Sequence, residues 1–266
     1  EGGQIMNIYL MVDAEGISGI FSSEQVTEDG NRRMEGRRMM TADINACVNA
    51  CKEAGIDKVY VRDCHGGANS VLYDELTDEA NYYILGRTGT DRFVGLDDCD
   101  GVILLGYHAM AGTYGGVLEH SMSSKGIQHY WINGEVAGET AIDAAIVGDR
   151  GKPVIMVSGC DKLCAEAKAL LPWVVTCEVK KGVTWGGAML LPRGKAHALI
   201  REKTIEAVKN FARMKPYVVA KPVVFRTEMV ERGILPSKYS KPYMRIIDGH
   251  TYEVEGATME EALYRA

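Results

Sequence analysis

No apolar run in the 266 residues approaches the ~20 that a membrane-spanning helix needs, so no membrane partner is expected. There is no basic stripe either. Lys and Arg total 30 against 36 Asp and Glu, the formal net charge is -6 and the sequence pI is about 5.6, so nucleic acid is not an expected partner. The N-terminus lacks a charged stretch leading into an apolar one, so no secretory signal is expected. Glu1 to Gln4 have the composition of a cloning remnant, with the native chain expected to begin at Met6. Internal repeats and low-complexity segments are absent. Cysteines number seven, an odd count scattered along the chain. They are expected to be free thiols of a reducing, cytoplasmic setting. Cys47 and Cys51, like Cys160 and Cys164, have a spacing that makes a helix face rather than a zinc knuckle.

What is present is an alternation of apolar runs with helix-like segments. "IYLMVD", "KVYVRD", "GVILLGYH" and "PVIMVSG" read as strands, and "VLEHSMS" and "QHYWING" as further strands near turn residues. "EGRRMMTADINACVNACKEAG" reads as a helix ended by Gly55, and "GETAIDAAIVGDRG" as a shorter one. This order predicts an α/β layered fold with a mostly parallel sheet. The last third changes character. A long helix, "RGKAHALIREKTIEAVKNFARM", is followed by strand-like "YVVAKPVVFRTEM", "YMRIID" and "TYEVEG". "ATMEEALYRA" then begins a helix with Thr258 and Glu261 at capping-box spacing. The expected division is a catalytic α/β domain over 1–185 and a smaller α+β domain over 186–266.

Three of these strands end on chemistry-bearing residues. "IYLMVD" delivers Asp13 and then Glu15, "KVYVRDCH" delivers Asp63 and His65, and "GVILLGYH" delivers His108. Ligands of open parallel sheets bind outside the carboxyl ends of the strands, so these residues can converge. "EHSM" adds His120, and "GETAIDAA" opens a helix with Glu139. Each residue has a plainer reading: a strand-end Asp caps a turn, a His sits hydrogen-bonded in a loop, and Glu139 favours a helix dipole. Taken together, Asp13, Glu15, His65, His108 and Glu139 form a nitrogen and oxygen donor set suited to zinc, manganese or iron. Five ligands exceed what one catalytic zinc normally uses and fit two metals sharing a carboxylate. Three carboxylates and a bridging hydroxide would balance two divalent ions, a hydrolytic arrangement. Asp63 is a candidate to orient a ligand imidazole, or else a turn cap. His129 is expected in a packed strand and His197 and His250 at the surface. Trp185 is expected in a loop bordering the pocket, and "RRMEGRRMM" as an amphipathic helix start or subunit contact.

The motifs "VDAEG", "RDCH", "LGYHAMAG", "EHSM" and "VAGE", in this order, resemble the D-aminopeptidase (DppA-type) family of dinuclear zinc metallopeptidases. The resemblance runs from "IYLMVDAEGISG" to about "VIMVSG" and fades toward the C-terminus. It implies a three-layer α/β sandwich plus a smaller domain, and removal of the N-terminal residue, a D-amino acid, from short peptides by two zinc ions per subunit. It also implies that Asp13 bridges both metals, that Glu15 and His108 serve one zinc, and that His65 and Glu139 serve the other. His120 becomes the catalytic histidine and not a ligand. A ring-shaped homo-oligomer, a decamer, is implied as well. Two rival readings stand beside this one. The first is a dinuclear phosphoesterase, against which speak the lack of Asp-x-His at the first strand and of a Gly-rich phosphate loop. The second is a non-catalytic dipeptide-binding transport component, which would carry an export signal.

Overall fold

The computed structural model describes residues 6–236 and 241–266, so Glu1 to Gln4 lie outside the described residues. β1 (Asn7–Val12) is buried along nearly its whole length, as suits a strand covered on both faces. It pairs in parallel with β2 (Lys58–Asp63) on one side and β4 (Gly101–Leu105) on the other. β3 (Tyr82–Ile84) flanks β2, while β7 (Val154–Cys160) and β8 (Val175–Thr184) continue beyond β4. β9 (Gly187–Leu190) closes that edge as an antiparallel hairpin on β8. The order is β3-β2-β1-β4-β7-β8-β9.

α1 (Arg33–Glu53) carries the chain from β1 to β2 in one direction. α2 (Glu139–Asp149) and α3 (Asp161–Leu170) precede β7 and β8 in the other. Right-handed crossovers running in opposite directions put α1 on one face and α2 and α3 on the other. α4 (Arg193–Lys209) packs beside α1 and completes the three layers. The reversal falls between β1 and β4, where a crevice opens at the strands' carboxyl ends. α1 stops as expected at Gly55, whose φ is +87°. The N–H groups of Gly55 and Ile56 donate to the carbonyls of Lys52 and Cys51, closing a Schellman motif.

A second, wholly antiparallel sheet has the order β11-β12-β10-β5-β6. Its strands are β5 (Ile127–Ile132), β6 (Glu135–Ala137), β10 (Val223–Met229), β11 (Met244–Ile246) and β12 (Thr251–Gly256). α5 (Met259–Arg265) packs on β10, β12 and α2. Its Thr258 hydroxyl accepts from Glu261 N–H at 3.1 Å, and Glu261 Oε2 accepts from Ala257 N–H at 2.6 Å. Among the described residues, no helix is long and apolar enough to cross a membrane.

Three expectations differ from the structure. "VLEHSMS" is a loop, with Leu118 and Met122 at φ +51° and +59°. Its backbone is satisfied by distant partners instead of a neighbouring strand. Leu118 N–H donates to Trp185 O, and Met122 N–H donates to the Glu139 carboxylate. The division at 185/186 does not follow the sheets. β5 and β6 precede it yet pair with β10, while α4 follows it yet packs on α1 and β8. Cys160 and Cys164 do not share a helix face, because Cys160 ends β7 and Cys164 lies on α3. Cys47 and Cys51 do lie together on α1, and all seven cysteines are free.

Candidate metal centre

The crevice between β1 and β4 gathers all six residues singled out from the sequence. Asp13 continues β1, its N–H donating to Leu105 O at 2.9 Å. Glu15 follows on a loop pressed against the end of β4. A Cβ at Gly16 would stand 1.8 Å from Tyr107 O, so only glycine permits that approach. His65 leaves β2, His108 leaves β4, and Glu139 is the first residue of α2. His120 sits on the loop that had been expected as a strand.

Two groups of candidate donors form. Asp13, Glu15 and His65 are one, and His108, His120 and Glu139 are the other. His65 Nε2 lies 3.4 Å from Glu15 Oε1. His108 Nε2 lies 3.3 Å from Asp13 Oδ2 and 3.2 Å from Glu139 Oε1, so Asp13 touches both groups. His120 Nε2 is farther out, 3.7 Å from Glu139 Oε1. The grouping differs from the one the resemblance implied: Glu15 stands with His65, and His108 with Glu139.

The imidazoles are fixed from behind. His108 Nδ1 meets Ala109 O at 3.0 Å and His120 Nδ1 meets Leu118 O at 2.9 Å. A carbonyl only accepts, so both Nδ1 atoms carry the proton, and a neutral ring turns a lone pair at Nε2 toward the crevice. His65 Nδ1 is 2.8 Å from the Ser70 hydroxyl. Asp63 is fully buried and does not touch that ring. Its carboxylate accepts from the backbone N–H of His65 and of Ser70, at 3.1 and 2.6 Å. Asp63 therefore shapes the loop, and Ser70 orients the imidazole.

The electrostatics explain why two acids can share one strand end. Burial and the charge of Glu15 both raise the pKa of Asp13. Burial would also raise Glu15, but the neighbouring imidazoles, His65 foremost with His108 and His120, together outweigh it and hold the carboxyl below its usual range. Burial opposes a charge on His65, yet Glu15 lifts it to about 9. His108 is raised well above its ordinary value against its own burial, chiefly by Glu139, and Glu139 in turn is drawn down to about 2. With the protein's own charges alone, the cluster is balanced by protons on imidazoles. Within this cluster Glu15 Oε2 has no hydrogen-bond partner, and His108 Nε2, once neutral, has none either. An unpartnered imidazole nitrogen facing two carboxylates is a set of electron-pair donors converging on one point, which a cation satisfies.

The D-aminopeptidase family profile matches residues 6–266. The chain belongs to the D-aminopeptidase family. A D-aminopeptidase of Bacillus subtilis (strain 168) is 35% identical over 230 residues, which are 86% of this chain and 83% of that protein. A solved structure described as Zn-dependent D-aminopeptidase DppA from Bacillus subtilis, a self-compartmentalizing protease, superposes with a TM-score of 0.90 at 32% identity. The match covers 98% of this chain and 95% of that one. The reading as an aminopeptidase is supported on all three counts, and neither the phosphoesterase nor the transport component is favoured.

In this D-aminopeptidase family member several supporting groups escaped the sequence reading. Asp143, one turn beyond Glu139 on α2, is fully buried. It accepts from Tyr107 Oη at 2.6 Å and is paired with Arg92, whose Nη2 is 2.9 Å away. Lys180 on β8 is fully buried as well, and desolvation pushes it down to about 7. His197 is half-buried rather than fully exposed, with Nε2 3.2 Å from Asp43. His129 lies on β5 as expected, paired with Glu228 at 2.6 Å, and Trp185 sits at the turn of the β8–β9 hairpin.

Proposed function

We propose that the chain removes the N-terminal D-residue from short peptides with two zinc ions per subunit. One ion is held by Asp13, Glu15 and His65, the other by Asp13, His108 and Glu139. The observation that carries this reading is the unpartnered His108 Nε2, set 3.3 Å from Asp13 and 3.2 Å from Glu139. Zinc bonds of ~2.0–2.1 Å in a tetrahedral site separate neighbouring donor atoms by about 3.3 Å. The 3.4 Å between His65 and Glu15 fits the same spacing. The relative's description as Zn-dependent supports the choice of metal.

Such a pair of ions supplies a Lewis acid for the peptide carbonyl and a water-derived nucleophile. His120 moves the proton. Peptide cleavage requires a proton at the leaving nitrogen, and His120 Nε2 is the nitrogen its Leu118 contact leaves facing the crevice. In its charged form the same N–H also stabilises negative charge developing on the carbonyl oxygen.

The relative's description as self-compartmentalizing supports a homo-oligomer, with the ring-shaped decamer as the expected form. Exposed Val183, Trp185 and Met189 on the β8–β9 hairpin offer apolar surface for subunit contact. Free thiols throughout are compatible with a cytoplasmic setting. A metal analysis joined to a panel of D- and L-aminoacyl anilides tests the reading. Two zinc ions per subunit with cleavage of the D-series is the expected result. Hydrolysis of phenyl phosphate in place of the anilides, or peptide binding without turnover, would overturn it.

A further inference from the structure

We propose that Lys180 is a positioning residue for the Asp13–Glu15–His65 half of the centre, holding the Glu15 loop in the conformation that half requires. The proposal rests on the two-metal reading above. Lys180 Nζ donates to three backbone carbonyls of one loop: Glu15 O at 2.6 Å, Ile17 O at 2.8 Å and Ile20 O at 2.6 Å. Three carbonyl acceptors at this range need three N–H donors, so the side chain serves them as the ammonium despite the downward pull of burial, and all its donors are used on this loop. Its hydrogen bonds among the described residues all go to backbone carbonyls. The side chain reaches from β8, two strands beyond β4, to the underside of the turn that follows β1.

The contact has a specific target. Asp13 is secured independently, because its N–H extends the β1–β4 ladder to Leu105 O. Beyond Asp13 the ladder ends, and the loop is held from three sides. Gly16 N–H donates to Gly106 O at 2.7 Å. Ser18 donates to Asp43 through both its N–H and its hydroxyl. Lys180 gathers the carbonyls that point inward. Removing the ammonium would leave Glu15 O and Ile20 O without a donor and Ile17 O with Ile20 N–H alone, which costs enough to turn the peptide planes toward other partners. The Glu15 side chain moves with its own peptide plane. Asp13, His108 and Glu139 do not depend on that plane.

The test compares wild type, Lys180→Met and Lys180→Gln by zinc titration of the full chain and by NMR of the cadmium-loaded protein, one signal per site. Glu15→Ala serves as the reference for loss of that half. In Lys180→Met, one ion should bind 10–100-fold more weakly, the range for residues that orient ligands, while the other keeps its affinity. The weakened cadmium signal should be the one that Glu15→Ala loses. Lys180→Gln, with two donors, should fall between Met and wild type, and it decides the matter if the Met variant does not fold. Unchanged affinities, or both ions weakened in parallel, would overturn the proposal. Wild type binding fewer than two ions would instead overturn the two-metal reading, whatever Lys180 does.

Discussion

His108 and His120 stack face to face, with ring centroids 4.0 Å apart and planes within 13° of parallel. The two rings are nonetheless placed differently. Only His108 Nε2 comes within 3.3 Å of both Asp13 and Glu139. His120 stands outside that spacing, 3.7 Å from Glu139, which is the ground for proposing it as a proton carrier and not a ligand. His120→Ala is expected to lower kcat by about 10²–10⁴-fold, the usual contribution of a general acid or base. Both metals should be retained. Metal content and turnover measured on the same sample check this, and a parallel loss of metal would make His120 a ligand of the His108–Glu139 group.

Asp13 belongs to one donor group and reaches His108 of the other at 3.3 Å, which makes it the proposed shared ligand. Asp13→Ala should therefore empty both sites, whereas Glu15→Ala should mainly weaken the ion beside His65. Metal-to-protein ratios after dialysis at matched free zinc distinguish the two. Equal losses in the two variants would contradict the assignment of Asp13 as the shared ligand.

How much of this could be read beforehand differs from residue to residue. Asp13, His65 and His108 were legible because each ends an apolar run, and parallel strands share one carboxyl end. Gly55 marked the end of α1 because a left-handed residue was needed there. The His120 loop was misread because its apolar and polar residues mimic a strand, while its hydrogen bonds go to Trp185 and Glu139. Lys180 was hidden by parity. Plain alternation would put it on the side of Thr176 and Glu178, which are only half-buried, but the pairing with β7 slips by one residue between Glu178 and Lys180, so nothing in the strand's alternation marks it as enclosed. β5 was recognisable as an extended segment, but its partner β10 begins about ninety residues further on, and local pattern does not specify a partner.

Metal binding should be pH-dependent in a definite direction. His65 is lifted to about 9 by Glu15 against its own burial, so the metal-free protein carries a proton there at neutral pH. A ligand imidazole must be neutral at Nε2. The metal-free form thus binds more protons than the loaded form, and raising the pH favours loading until about 9, where the gain levels off. The same shift stabilises the metal-free fold below the ordinary histidine pKa of 6.5, and that contribution fades as pH rises through about 9. Calorimetry in buffers of different ionisation enthalpy should detect proton release with zinc at neutral pH. A pH-independent affinity over that window would refute it.

The Arg92–Asp143–Tyr107 network makes the sharpest stability prediction. Asp143 has no exposed surface and Arg92 is nearly enclosed, so Asp143→Ala strands a buried guanidinium and leaves the Tyr107 hydroxyl without its acceptor. Breaking a buried pair on one side costs about 3–5 kcal/mol, because the remaining charge is uncompensated. Tyr107→Phe removes only one hydrogen bond to a charged group, worth about 1.5–3 kcal/mol. Replacing both charges, as in Arg92→Met with Asp143→Leu, should recover much of the loss, since neither residue then leaves a charge unpaired. Urea unfolding of the metal-free variants measures all three. The network also ties the residue before His108 to the turn of α2 that follows Glu139, so the Asp143→Ala protein that still folds should bind its second ion more weakly. A double variant no more stable than Asp143→Ala would show that the stranded charge is not what the single substitution costs.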